Sequence, residues 1–182
     1  MKKKRMSVKR NLISTAAVII GAIALSTLAY GQTFTDRPTT QSSPGTPYLN
    51  PTEAYDNNLS TAATASVTEG VKGAKSDIEV WSGFSSAPPG ATDIELNVNS
   101  SGSTNSEGLV TVSYSLNGGA TFTTLYMIEG TSRSKQTDSV SLSNSQDLTK
   151  VQVKAEATAF NTGSGAGTAS NSIFEIWISG ND

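Results

Sequence analysis

Between Leu109 and Tyr126 the chain reads LVTVSYSLNGGATFTTLY, and no other stretch narrows the possible folds so much. Val110, Val112, Tyr114 and Leu116 recur at every second position, with Thr111, Ser113 and Ser115 between them. A period of two belongs to a β-strand with one buried face and one wet face. Asn117-Gly118-Gly119 follows. Asn-Gly accepts φ > 0 at both positions and is the strongest short-range hairpin signal, so Phe122 is expected to open the return strand.

The same alternation predicts strands over residues 62–68, 77–84, 92–99, 136–142, 150–160 and 172–179. Ile94, Leu96 and Val98 take the inner face of one strand. Val151, Val153, Ala155, Ala157 and Ala159 take that of another, and Phe174, Ile176 and Ile178 that of the last. Val140 and Leu142 turn inward from a polar strand near an edge. Ser100–Ser106 and Asn161–Asn171 read as polar loops, and Ala87-Pro88-Pro89-Gly90 forces a turn. About eight short strands with no amphipathic helix imply an all-β antiparallel sandwich or barrel. The small inward residues of 150–160 call for bulky partners across the core.

Residues 1–31 have a different character. Lys2, Lys3, Lys4, Arg5, Lys9 and Arg10 precede an apolar run from Leu12 to Leu28, and Ala29-Tyr30-Gly31 places small residues where a leader peptidase cuts. A signal helix cleaved after Gly31 is expected, and a secreted or bacterial envelope location (periplasmic or extracellular) with it. An uncleaved anchor is the alternative, but Ser14, Thr15, Ser26 and Thr27 interrupt the run and weaken it as a membrane span. Residues 32–50 carry Pro38, Pro44 and Pro47 among Thr, Ser and Gln, which reads as a flexible arm before a domain at 51–182.

Composition removes several chemistries. The chain has no Cys and no His, so a disulfide framework, a thiolate nucleophile and a Cys/His zinc site are excluded. The usual general base near neutral pH is missing as well. Beyond residue 31 there remain 7 basic and 15 acidic side chains, a net charge of −8 that repels a phosphate backbone. The carboxylate pairs Asp77/Glu79 and Asp93/Glu95 each share a strand face, as an acid and base would. Nothing else in the sequence completes a catalytic site around them.

Four segments, in order, resemble the discoidin-like, galactose-binding-like jelly-roll family of coagulation-factor C-type domains and bacterial carbohydrate-binding modules. They are Ala54-Tyr55-Asp56-Asn57-Asn58-Leu59-Ser60-Thr61, the paired early strands around Ile78-Glu79-Val80 and Asp93-Ile94-Glu95-Leu96, the hairpin described above, and Phe174-Glu175-Ile176-Trp177-Ile178-Ser179-Gly180. The family's glycine after the loop aspartate is Asn57 here, and its tryptophan after the Thr is Ala63. The resemblance implies a jelly-roll sandwich and a structural Ca2+ held by Asp56, Asn58, Thr61 and Glu175. A polar turn with a solvated Glu175 is the alternative.

Trp81 and Trp177 are the two tryptophans. Each sits out of phase with aliphatic neighbours (Ile78 and Val80; Ile176 and Ile178), so alternation points both away from the aliphatic face. They could form a platform for a sugar ring with Tyr126 or Tyr55 nearby, or cover an edge of the sandwich. The expected function is an exported, non-catalytic module whose loops bind carbohydrate or another cell-surface ligand. A structural or adhesive subunit that self-associates through its arm or strand edges is the alternative.

Overall fold

The computed structural model describes residues 32–182, so the expected signal segment at 1–31 lies outside the described residues. Ten strands follow in chain order: β1 (Thr33–Asp36), β2 (Thr40–Ser42), β3 (Ala63–Glu69), β4 (Gly73–Ser82), β5 (Thr92–Thr104), β6 (Gly108–Ser115), β7 (Thr123–Glu129), β8 (Ser132–Ser141), β9 (Gln152–Asn161) and β10 (Gly167–Asn181). Two 3-10 turns, Pro51–Tyr55 and Leu148–Lys150, are the helical elements among them. No described helix is long and apolar enough to cross a membrane. One sheet runs β1-β10-β5-β8, with β3 also on β10, and the other runs β2-β4-β9-β6-β7. All of these pairings are antiparallel. The all-β antiparallel sandwich read from the alternation is the observed architecture.

Most of the core forms where the alternation placed it, with two corrections: a register shift after Ile173 brings Ile173 inward in place of Phe174, whose ring lies under Lys135, and Leu116, past the end of β6, is exposed. Val151 just before β9 and Val153, Ala155, Ala157 and Ala159 on it are fully buried, as are Leu96 and Val98 on β5 and Ile176 and Ile178 on β10. The alanines of β9 leave room for larger groups, and β9 packs against β3 and β10 of the other sheet.

The structure corrects four local expectations. First, residues 32–50 are not a free arm. β1 pairs with β10 in one sheet and β2 with β4 in the other, so the segment bridges both sheets at one side of the sandwich. Pro38 is buried at the crossing and Tyr48 is 2% exposed. Pro and Ser/Thr composition suggested flexibility, but edge strands tolerate both, since only one side of an edge strand must donate to a ladder. Second, the hairpin loop is wider than an Asn-Gly turn. β6 ends at Ser115 and β7 begins at Thr123, and positive φ falls on Gly118 (72°) and Gly119 (88°) rather than on Asn117. The Asn117 side chain instead accepts from Ser115 Oγ and the Thr121 amide, at 2.9 and 3.0 Å, and so holds the loop from inside.

Third, β5 and β10 run through stretches read as loops. Ser101 pairs with Ser172 and Ser103 with Ser170, and the Ser103 and Ser170 hydroxyls lie 2.9 Å apart. Backbone ladders and cross-strand serine bonds carry strands there without apolar alternation. Fourth, β4 is turned over. Asp77, Glu79 and Trp81 face the core opposite Ala157, Ala155 and Val153 in register, while Ile78 and Val80 face out and are half-buried. Gly45, in the segment after β2, lies against Ile78.

Candidate functional site

The outward face of the β1-β10-β5-β8 sheet gathers the most chemistry. A register shift between Ile173 and Glu175 resets the alternation of β10. Below it Asn171 and Ile173 point inward. Above it Ile176 and Ile178 point inward, and Glu175, Trp177 and Ser179 point out. Across the sheet these residues line up in rows: Glu175 beside Asn99 and Thr137, Trp177 beside Asn97 and Ser139, Ser179 beside Glu95 and Ser141.

The polar side chains of these rows are bonded to one another. Ser139 Oγ donates to Asn97 Oδ1 at 2.6 Å, and Asn97 Nδ2 donates to Ser179 Oγ at 3.1 Å. Asn99 Nδ2 donates to Thr137 Oγ1 at 2.8 Å. Asn99 Oδ1 is buried with no hydrogen-bond partner. Trp177 stands partly exposed among these amides and hydroxyls.

Residues 56–61 close over one end of this face. Asp56 Oδ1 accepts the Asn58 amide at 2.9 Å, and Asp56 Oδ2 accepts the Thr61 hydroxyl at 2.7 Å. Asn58 Oδ1 accepts the Ser60 amide at 3.0 Å. Asn57 adopts φ 63°, a left-handed conformation that Asn tolerates in place of glycine. Lys135 Nζ donates to the Leu59 carbonyl and lies 3.8 Å from the centre of the Phe174 ring. The covering leaves Glu175 only 3% exposed. Its Oε1 accepts from Arg37 Nε at 2.6 Å, Arg37 Nη2 donates to Asn57 Oδ1, and its Oε2 is buried with no hydrogen-bond partner. Burial pushes the Glu175 carboxyl above the usual carboxylate range, while the hydrogen bond and charge of Arg37 pull it back.

The four residues nominated for calcium are therefore brought to one place, yet as arranged they do not fit the ion. Calcium takes roughly six to eight oxygen ligands. Both Asp56 oxygens, Asn58 Oδ1 and the Asn58 carbonyl already face donors inside the loop. A guanidinium holds one oxygen of Glu175. Among the described residues no group of three or more acidic side chains could hold a metal ion.

The four aromatic candidates separate. Trp81 is 0% exposed: its Nε1 donates to the Pro51 carbonyl at 2.8 Å and its ring meets Tyr48 edge-on with centroids 5.9 Å apart. No sugar reaches it. Tyr126 is 8% exposed and covered by Arg133, whose guanidinium lies 3.9 Å from the ring centre; burial pushes the Tyr126 hydroxyl up to about 12. Tyr55 is half-buried and its hydroxyl donates to Gln41 Oε1 at 2.6 Å. Trp177 remains as the aromatic on the open face.

The carboxylates of β4 also separate from any surface chemistry. Glu79 is 0% exposed; its Oε2 accepts from Ser43 Oγ at 2.6 Å and from the Tyr48 amide at 3.3 Å. Burial raises the Asp77 carboxyl, with Lys75 opposing. Nearby, Asn171 Nδ2 donates to the Tyr48 hydroxyl at 3.1 Å and Asn171 Oδ1 accepts from the Tyr126 hydroxyl at 3.4 Å.

Sequence reasoning missed Arg37, Asn97 and Asn99. Arg37 sits in a stretch read as flexible, so nothing singled it out. Asn97 and Asn99 alternate with Leu96 and Val98 and were legible as an outward polar row, but their bonding across three strands depends on register.

No family model matches the chain, and no curated protein matches it. Among solved structures it is similar to a truncated AlyQ with CBM32 and alginate lyase domains, at 17% sequence identity and a TM-score of 0.37. The likeness covers 84% of this chain and 35% of that one, so this chain spans about a third of the length of the protein it matches.

Proposed function

We propose that the protein is an exported, non-catalytic module that binds carbohydrate on the outward face of the β1-β10-β5-β8 sheet. One observation carries this reading: Trp177 is partly exposed on a sheet face where amides and hydroxyls surround it, with the Glu95 carboxylate one row away. An indole offers a flat apolar surface for the C–H face of a sugar ring, and the Ser139 and Ser179 hydroxyls, both bonded to the buried Asn97, offer donors and acceptors for its hydroxyls. Their mutual hydrogen bonds hold them in place, which lowers the cost of ordering them on binding. The site lies on strands, with residues 56–61 as a rim, rather than on loops alone. Export rests on the basic and apolar pattern of residues 1–31. The arm-mediated assembly alternative is less favoured, because β1 and β2 pair within their own sandwich.

The test is retention on insoluble and soluble polysaccharides of both acidic and neutral types. The wild-type chain is expected to be retained by at least one. Trp177→Ala is expected to lose about tenfold or more in affinity, the scale of an aromatic anchor, with an unchanged circular dichroism spectrum. Binding unaffected by Trp177→Ala removes this face from the reading.

A further inference from the structure

We propose that Arg37 is a built-in cation: its guanidinium takes the position on Glu175 where the family resemblance calls for calcium, and it makes this part of the fold independent of metal.

Glu175 is an outward-facing carboxylate that has been covered over, and a covered carboxylate needs a positive partner or a proton. The connection between β1 and β2 supplies one. Arg37 Nε reaches Glu175 Oε1 at 2.6 Å, while Nη2 of the same guanidinium holds Asn57 Oδ1. One planar group thus ties β10, the N-terminal segment and the 56–61 loop together. That is the bridging role of a metal ion, performed by a residue whose fork of donors suits it better than a lysine would. The loop's own acceptors have turned inward to Asn58 N, Ser60 N and the Thr61 hydroxyl, an arrangement that needs no external cation. Besides Arg37, the charged groups around this carboxylate are Asp56 of the loop and Lys135 of β8, whose ammonium sits over the adjoining Phe174 ring.

Thermal unfolding of the full-length chain in calcium chloride and in chelator tests the proposal. The wild type is expected to melt at the same temperature in both. Arg37→Ala is expected to melt roughly 6–15 °C lower at neutral pH, the scale of an uncompensated buried charge in a chain of this size. That deficit should shrink on acidification, as Glu175 takes up a proton and no longer needs a partner. Adding Glu175→Gln to Arg37→Ala should recover most of the loss, since a neutral amide requires no counter-ion, and Arg37→Lys should recover part of it. If Arg37→Ala does not fold at all, the double variant and the wild-type calcium comparison still decide. A wild type that melts higher in calcium than in chelator overturns the proposal, as does a double variant no more stable than Arg37→Ala.

Discussion

Glu79-Val80-Trp81 on β4 and Glu175-Ile176-Trp177 on β10 are nearly the same tripeptide with opposite fates. On β10 the aliphatic residue goes in, and the carboxylate and indole go out. On β4 the carboxylate and indole go in and the aliphatic residue goes out. Alternation is identical in both, so local sequence does not separate them. The neighbours do. Beside β4 lie Ala157 and Ala155 of β9, in register with Asp77 and Glu79 and small enough to leave space for their carboxyls, whereas β10 lies beside Val98 and Leu96 of β5. Two residues before the first motif Asp77 also turns inward, and the N-terminal segment covers Ile78 from outside. Both carboxylates are then completed by that same segment: Ser43 and the Tyr48 amide meet Glu79, and Arg37 meets Glu175. A burial decision in the middle of the chain thus depends on residues more than thirty positions upstream.

The largest expected effect comes from removing those upstream residues. Deleting 33–48 strips partners from both buried carboxylates, uncovers the edges of β4 and β10, and removes Tyr48 from the core. Each orphaned charge alone costs about 3–5 kcal/mol, against a total stability of about 5–15 kcal/mol. The deletion should leave no cooperative thermal transition. A cooperative melt from the truncated chain would return the segment to the status of a linker.

Substituting each indole sharpens the contrast. Trp81→Ala should cost about 3–5 kcal/mol in a urea titration, because it empties a fully enclosed site. Trp177→Ala should change stability by less than about 1 kcal/mol while removing ligand binding. Equal stability losses would mean that the two motifs do not face opposite ways. Between these two in size lies Ser43→Ala, which takes a donor from the fully buried Glu79 and should cost about 1–3 kcal/mol.

How much of this was legible follows the same division. The eight strands of residues 62–179 could be read because a period of two needs only the chain itself. The inward β9 alanines, the inward Ile176 and Ile178, and the outward Trp177 follow from it directly. The turned-over face of β4 could not be read, because Ile78 and Val80 are the more apolar pair and the groups that receive Trp81 are the Pro51 carbonyl and the Tyr48 ring, about thirty residues upstream. The N-terminal strands were hidden by proline and hydroxyl residues, which mark edges and linkers alike. Residues 56–61 and Glu175 were brought together by the jelly-roll resemblance, yet the partner that completes them, Arg37, belongs to no motif.

The smallest effects concern pH, and the carboxylates divide by sign. Asp77 is raised in the folded state by burial. Its contribution is fully present below the unfolded carboxyl value, near pH 4, and is lost as pH rises through the raised folded value. Glu107 is held low by the Ser164 hydroxyl and by the Thr162 amide and hydroxyl. What it contributes is present above the unfolded value and is lost as pH falls through the depressed one. Asp77→Asn should therefore gain on the wild type as pH rises from 4 to 7, and Glu107→Gln should lose on it, the second by little because that carboxylate is exposed. Urea midpoints followed across this range check both signs, and matching slopes for the two variants would contradict the assignment.

The most direct test of the opposed motifs uses the fact that the chain has two tryptophans. Trp177→Phe leaves Trp81 as the sole fluorophore, and Trp81→Phe leaves Trp177. Acrylamide quenching of the two variants should differ severalfold, with Trp81 blue-shifted and protected and Trp177 readily quenched and sensitive to added polysaccharide. Equal quenching of both, or a Trp81 more accessible than Trp177, would contradict the account.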